Sequence, residues 1–111
     1  MKNIKPVAGE VLPAMIVAGL NNRELEVFRP SDGNDWKMVV VYRGRHCPIC
    51  TDYLNQLNSI VPELDQLGID LVAVSADTQQ KAHEHTRPLD LAFDVGFGLT
   101  IEQMETLGLY I

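Results

Sequence analysis

The sequence has 111 residues, 46% hydrophobic and 22% charged, with a formal net charge of -6. That length suits one domain, residues 1–111, able to bury about two-thirds of its unfolded surface in a real core. The acidic balance speaks against nucleic acid or an anionic membrane surface as partner, and no apolar run reaches the ~18 residues of a membrane helix.

In chain order, the apolar stretch Val11 to Leu20 is broken by Pro13 and Gly19 and is followed by no clear cleavage site, so a cytoplasmic location is expected. Leu25, Val27 and Phe28 suggest a short strand after an Asn21-Asn22 turn. Ser31 to Asp35 is dense in turn formers and reads as a loop. Met38 to Tyr42 is apolar without alternation, which predicts a central strand of a parallel sheet with both faces covered. After Cys47-Pro48-Ile49-Cys50, Leu54, Leu57, Ile60, Val61, Leu64 and Leu67 recur at helical spacing. Pro62 should kink or split that helix, and Gly68 should end it.

Ile69 to Ser75 reads as a second buried strand. Asp77 or Thr78 caps a short polar helix through Gln79 to His85, which Pro88 stops. Leu89 to Val95 holds a third, weaker strand, with Asp94 at its end. Thr100 and Gln103 form a capping box for a helix over Ile101, Met104 and Leu107 that closes near Gly108. The alternation argues for an α/β fold in three layers around a mostly parallel sheet.

The chain has two cysteines, Cys47 and Cys50, three apart. A disulfide between them closes too small a loop to stabilise much, so the pair calls for a chemical explanation. A C-x-x-C pair between a buried strand and a helix is a redox pattern. The thiolate is the nucleophile, and a free cysteine titrates near ~8.5. The first helical turn offers unpaired N–H groups and the positive end of the dipole, both of which favour an anion at Cys47. Pro48 fits that turn because its missing N–H is no loss there. Cys50 follows one turn later, within reach of an oxidised Cys47. Arg43, leaving the strand straight into the active loop, lowers the Cys47 pKa further. Arg45 reads as surface charge; His46 is either a tuning group or a packing substitute for an aromatic.

The rival reading is half of a zinc site, completed from His46, His83 and His85. The His-x-His spacing of His83 and His85 departs from zinc-finger spacing, and both read as solvated residues of a polar helix. No cofactor and no metal are expected. Tyr42 reads as core, and Trp36 and Tyr53 carry no functional signal.

The segment Val39 to Cys50, with Tyr42-Arg43-Gly44 and then Cys47-Pro48-Ile49-Cys50, resembles the active segment of AhpC/TSA-type peroxiredoxin-like proteins. The likeness continues through Leu64, Gly68 and Leu71 to Asp77, then Phe97 to Thr100 and Leu107 to Tyr110. The resemblance implies a thioredoxin-like fold, with Cys47 matching the peroxide-attacking cysteine and Cys50 the second cysteine of the motif. It implies oxidation of Cys47 to a sulfenic acid, then resolution by a thiol. Val40 and Gly44 stand where such proteins usually carry a proline and a threonine or serine, so the hydroxyl that orients peroxide is absent. The family's fold continues into two more strands and a last helix, which supply an arginine near the thiolate and, in thioredoxin-like proteins, a cis-proline. The sequence stops at Ile111, so the expectation is a fold incomplete at its C-terminus, with the 38–42 strand left as an edge through which the chain associates.

Three functions follow. One is a thiol peroxidase acting on peroxide through Cys47 and Cys50, recycled by a thioredoxin- or glutathione-type reductant. The second is a protein disulfide reductase without peroxide turnover, favoured by Gly44. The third is a zinc-binding or interaction module in which the cysteines are ligands.

Overall fold

The computed structural model describes residues 7–20, 22–31, 33–44 and 47–109. Its strands are β1 (Ile16–Gly19), β2 (Arg23–Glu26), β3 (Trp36–Val41), β4 (Ile69–Val74) and β5 (Asp94–Phe97). Its helices are α1 (Pro48–Ser59), α2 (Val61–Gln66), α3 (Gln79–Thr86) and α4 (Ile101–Thr106), with a 3₁₀ turn at Arg87–Leu89. The strands form one sheet in the order β2-β1-β5-β4-β3. β3, β4 and β5 run parallel, and β1 lies antiparallel to both β5 and β2.

β4 shows why the sheet sits between two layers. Successive strand residues point to opposite faces. Val72 and Val74 join Met15, Val17, Leu25, Val27 and Leu99 in one core, against which Met104 and Leu107 from the α4 end pack. Leu71 and Ala73 join Tyr42, Leu54 and Leu57 in the other, beneath α1 and α2. The α/β, thioredoxin-like three-layer expectation therefore holds, with a mixed sheet.

The local signals explain most boundaries. Pro62 in the first turn of α2 splits the helix after Ser59, and Gly68 in the left-handed region (φ 72°) ends it. The Thr100 side chain accepts from Gln103 N while the Gln103 side chain accepts from Thr100 N, which completes the capping box.

β3 is an edge strand of the sheet, as expected for the 38–42 strand of an incomplete fold. Four expectations need correction. The faces of β3 are not both covered: Trp36 is 69% exposed and Val41 36%. β1 falls in the stretch read only as a broken apolar run, and the short strand around Leu25 ends at Glu26, where Val27 and Phe28 turn away. The weak third strand lies later, at Asp94–Phe97, so Asp94 begins it and pairs with Arg23 at 2.7 Å. Leu89, Leu91 and Phe93 instead pack from outside the strand onto the α1 core. His85 is buried, not solvated.

Candidate functional site

Ligand sites in parallel α/β sheets gather where strands end at their C-terminal edge. Here β3 ends at Val41 and β4, paired with it residue for residue, ends at Val74. Tyr42 carries the chain on, donating its N–H to Val74 O at 3.0 Å. Gly44 then turns it with φ 120°, a conformation that favours glycine. Cys47 N–H donates back to Gly44 O at 3.1 Å, and Cys47 becomes the N-cap of α1 with extended backbone (φ -113°, ψ 100°). Pro48 opens the helix. This is the placement expected from the sequence: strand, loop, Cys47, helix.

No side chain of ordinary capping type serves this helix end, and no acidic residue occupies its first turn. The Cys47 sulfur lies near the open N–H groups of this end. The Cys50 thiol donates to that sulfur and holds the Cys47 pKa below the ordinary thiol range. Burial opposes the shift, while the N–H groups of Cys50 and Ile49 and the Arg43 charge reinforce it. Cys50 moves the other way. Burial raises its pKa, and so does its role as donor to Cys47, with partial relief from the Arg43 and Gly44 N–H groups. Cys47 is thus the better thiolate and Cys50 the protonated neighbour. The structure holds both as free thiols. Arg43 itself is exposed. Cys47, Cys50 and Arg43 are therefore brought together; Arg45 and His46 lie outside the described residues.

A second group of side chains, which sequence reasoning assigned to core, cap or solvent, lies beneath the pair. Tyr42 is 6% exposed, and burial pushes its phenol up, with Ser75 opposing and negative charge at Asp77 and Cys50 adding to the rise. The tyrosine ring meets that of His85 at 5.9 Å and 56°. His85 Nε2 and Thr51 Oγ1 share a hydrogen bond at 2.8 Å, tying α3 to the second turn of α1. Asp77 is buried and is not the helix cap: Thr78 caps α3 by accepting from Lys81 N. Asp77 instead fixes the turn after β4, its N–H donating to Ser75 Oγ at 3.3 Å and its carbonyl accepting from Gly98 N at 2.9 Å.

Gly44 and Asp77 explain each other. A Cβ built on Gly44 would stand 2.8 Å from Asp77 Cγ, inside the carboxylate. The position that lacks a hydroxyl is therefore already filled by a neighbour's carboxylate. A sequence signal did exist: Ser75 and Asp77 follow directly on a buried strand. So did the spacing of Ala82, His85 and Thr86, which is one face of a helix. Among the described residues no three His, Cys, Asp or Glu side chains come together as a metal site, and no helix is long and apolar enough to cross a membrane.

Residues 9–111 match the model of the AhpC/TSA family. Among solved structures, a peroxiredoxin-like protein from Aquifex aeolicus superposes with a TM-score of 0.78 at 18% identity, over 95% of this chain and 60% of that one. Peroxiredoxin Q of Xanthomonas campestris gives 0.65 at 21% identity, over 78% of this chain and 57% of that one. A yeast mitochondrial 1-Cys peroxiredoxin gives 0.66 at 13% identity, over 78% and 43%. At these identities the likeness is one of fold, and the chain spans about 60% or less of the length of these solved relatives. No curated protein sequence matches the chain.

Proposed function

Because the chain belongs to the AhpC/TSA family, we propose that it is a thiol peroxidase in which Cys47 attacks peroxide and Cys50 resolves the product. The observation that carries this reading is the opposite tuning of the two thiols at the start of α1. The Cys47 thiolate attacks one peroxide oxygen. The O–O bond breaks, a sulfenic acid forms, and the departing alkoxide or hydroxide takes up a proton. Cys50 then loses its proton and attacks the Cys47 sulfur. The S–S bond forms, the S–O bond breaks, and the departing hydroxide leaves as water. The two sulfurs together give up two electrons to the peroxide.

An external dithiol, or two monothiols in turn through a mixed disulfide, returns the disulfide to the two thiols and is itself oxidised to a disulfide. A thioredoxin- or glutathione-type reductant suits this step, and the yeast relative is described as resolved through those systems. Another similar structure, of the bacterioferritin comigratory protein of Xanthomonas campestris, concerns alkyl peroxide reduction by that protein, so hydrogen peroxide and small alkyl peroxides are the substrates to test first. Arg43 serves as the charge that favours the thiolate.

A second reading rests on Gly44. With Asp77 in the space of the missing hydroxyl, peroxide has one fewer orienting donor, and the same pair is equipped to reduce protein disulfides. Peroxide consumption under single turnover, set beside insulin disulfide reduction, separates the two. The peroxidase reading expects a peroxide-dependent sulfenic acid at Cys47 that survives in Cys50→Ser and is absent in Cys47→Ser. A Cys47 inert to peroxide but active on the protein disulfide would install the second reading instead.

A further inference from the structure

A cavity of about 430 Å³ opens where the β1–β2 turn, β2, the end of α3, the 3₁₀ turn and the chain entering β5 meet. Its volume falls in the range of small-molecule clefts. Neither Cys47, Cys50 nor Arg43 lines it. Leu20, Leu91, Phe93 and Val95 give it an apolar side. The wall that carries Leu91 and Ala92 is fixed from α1: the Asn58 side chain accepts from Ala92 N at 2.8 Å and donates to Asp90 O at 3.3 Å. The cavity is therefore shaped before any ligand arrives.

Its charge runs against that of the chain. The sequence carries 15 acidic residues and 9 lysines and arginines, yet the cavity gathers Arg23, Arg87 and His83 against a single carboxylate, Asp94. Asp94 is already engaged, with Arg23 at 2.7 Å. That bond uses Nη1 of Arg23, one part of a guanidinium that offers five N–H donors. Among the described residues Arg87 forms no ion pair. The Thr86 hydroxyl is turned back to Ala82 O at 2.8 Å, so it adds no donor here.

We propose that this cavity binds a small organic monocarboxylate, its carboxylate on Arg87 with Arg23 beside it and its apolar body against Leu91, Phe93 and Val95. Guanidinium matches a carboxylate with two parallel N–H···O bonds. The head carries one negative charge because two guanidinium groups less the Asp94 carboxylate leave one positive charge to balance. A phosphate dianion would exceed that balance and leave the apolar side uncovered. The site is separate from the thiol chemistry, so its failure and that of the peroxidase reading are distinguishable.

The test measures binding to the full chain by calorimetry and by backbone amide shifts, with 3-phenylpropionate as the probe. Two controls divide its chemistry: 3-phenylpropionamide keeps the body without the charge, and inorganic phosphate keeps charge without the body. Saturable binding of the carboxylate is expected, with its largest shifts within residues 20–25 and 83–95. The amide should bind at least about tenfold more weakly, and so should the carboxylate to Arg87→Gln, since a hydrogen-bonded charge pair is lost in each case. Arg87 is exposed, so its replacement leaves the core intact. No saturable binding, an amide equal to the acid, an affinity unchanged in Arg87→Gln, or binding of phosphate alone overturns the proposal. Ala92→Trp is the second variant: Ala92 is exposed and lines the cavity, so the indole should fill the space and abolish binding. Binding that survives it would place the carboxylate elsewhere and overturn the site.

Discussion

At Gly44 two demands meet: a positive φ that turns the chain toward Cys47, and the Asp77 carboxylate seated where a side chain would begin. Gly44→Ala is expected to destabilise the chain by about 1–3 kcal/mol, read as a lower urea midpoint. Gly44→Thr should cost at least as much and should not restore a peroxide-orienting hydroxyl, because the space is taken. Adding Asp77→Ala should recover part of the loss, as a double-mutant cycle measures for groups in contact; strictly additive losses would show that the two do not compete for space. The thiols give a second prediction at this scale. Cys47, with its lowered pKa, should alkylate faster than Cys50 at neutral pH. Its rate should reach half-maximum below the ~8.5 of a free thiol and that of Cys50 above it. Equal rates by mass spectrometry would remove the assignment of roles. Much of this site was readable in the sequence, because Cys47, Pro48 and Cys50 follow an apolar run and precede a helical one. Tyr42 was readable as core, and it is buried there; Asp77 and His85 were not readable, because each owes its setting to neighbours from another element: Asp77 to Gly44 and His85 to Thr51.

At the scale of elements, the loop before β3 is held by one carboxylate. Asp70 Oδ2 accepts from Lys37 Nζ at 2.8 Å and from Ser31 N and Oγ at 3.0 and 2.7 Å, joining the starts of β3 and β4 to residue 31. Burial pushes the Asp70 pKa up, but Lys37 and Ser31 outweigh it and hold it below 3.8. A carboxylate with a lowered folded-state pKa stabilises the fold above its unfolded pKa, near ~3.9, and that contribution is lost as pH falls through the lower folded value. Asp70→Asn should therefore cost about 1–3 kcal/mol at pH 7 and progressively less below about pH 4, where the native carboxyl also becomes protonated. A cost independent of pH down to pH 2, in urea titrations, would show that charge plays no part. Legibility at this scale followed length and local chemistry. The α4 capping box, the Pro62 split and β4 carry strong local signals. β1 has four residues behind a proline-broken run, and only its pairing with β2 and β5 makes it a strand. β5 was misplaced because Leu89, Leu91 and Phe93 alternate like a strand yet serve as packing for α1, while Gly96 carries no strand signal at all. It is there because a Cβ would stand 2.7 Å from Val17 Cγ2.

For the whole molecule, the position of β3 decides how the 111-residue chain behaves in solution. The strand hydrogen-bonds only to β4 in the sheet, and among the described residues nothing pairs with its outer side. Its peptide groups there form an open template, the usual liability of an edge strand. A groove of about 570 Å³ runs beside it, lined by Leu12, Phe28, Trp36, Val39, Val41 and Leu109 among others. Proteins commonly blunt such an edge with a free lysine, but Lys37, the one lysine on β3, is engaged with Asp70. An apolar edge with its charge occupied favours pairing with a second copy, which satisfies the backbone and covers Trp36 and Val41 together. The isolated chain should therefore sediment as a concentration-dependent dimer or higher species. Val41→Lys should shift it toward monomer without unfolding it, since Val41 is already partly exposed. Amide exchange offers an independent reading: in dilute solution residues 36–41 should exchange faster than 69–74, and the gap should narrow as concentration rises. A stable monomer at high concentration, with both strands equally protected, would mean that the edge is closed from within the chain and that the β3 surface is not an association surface.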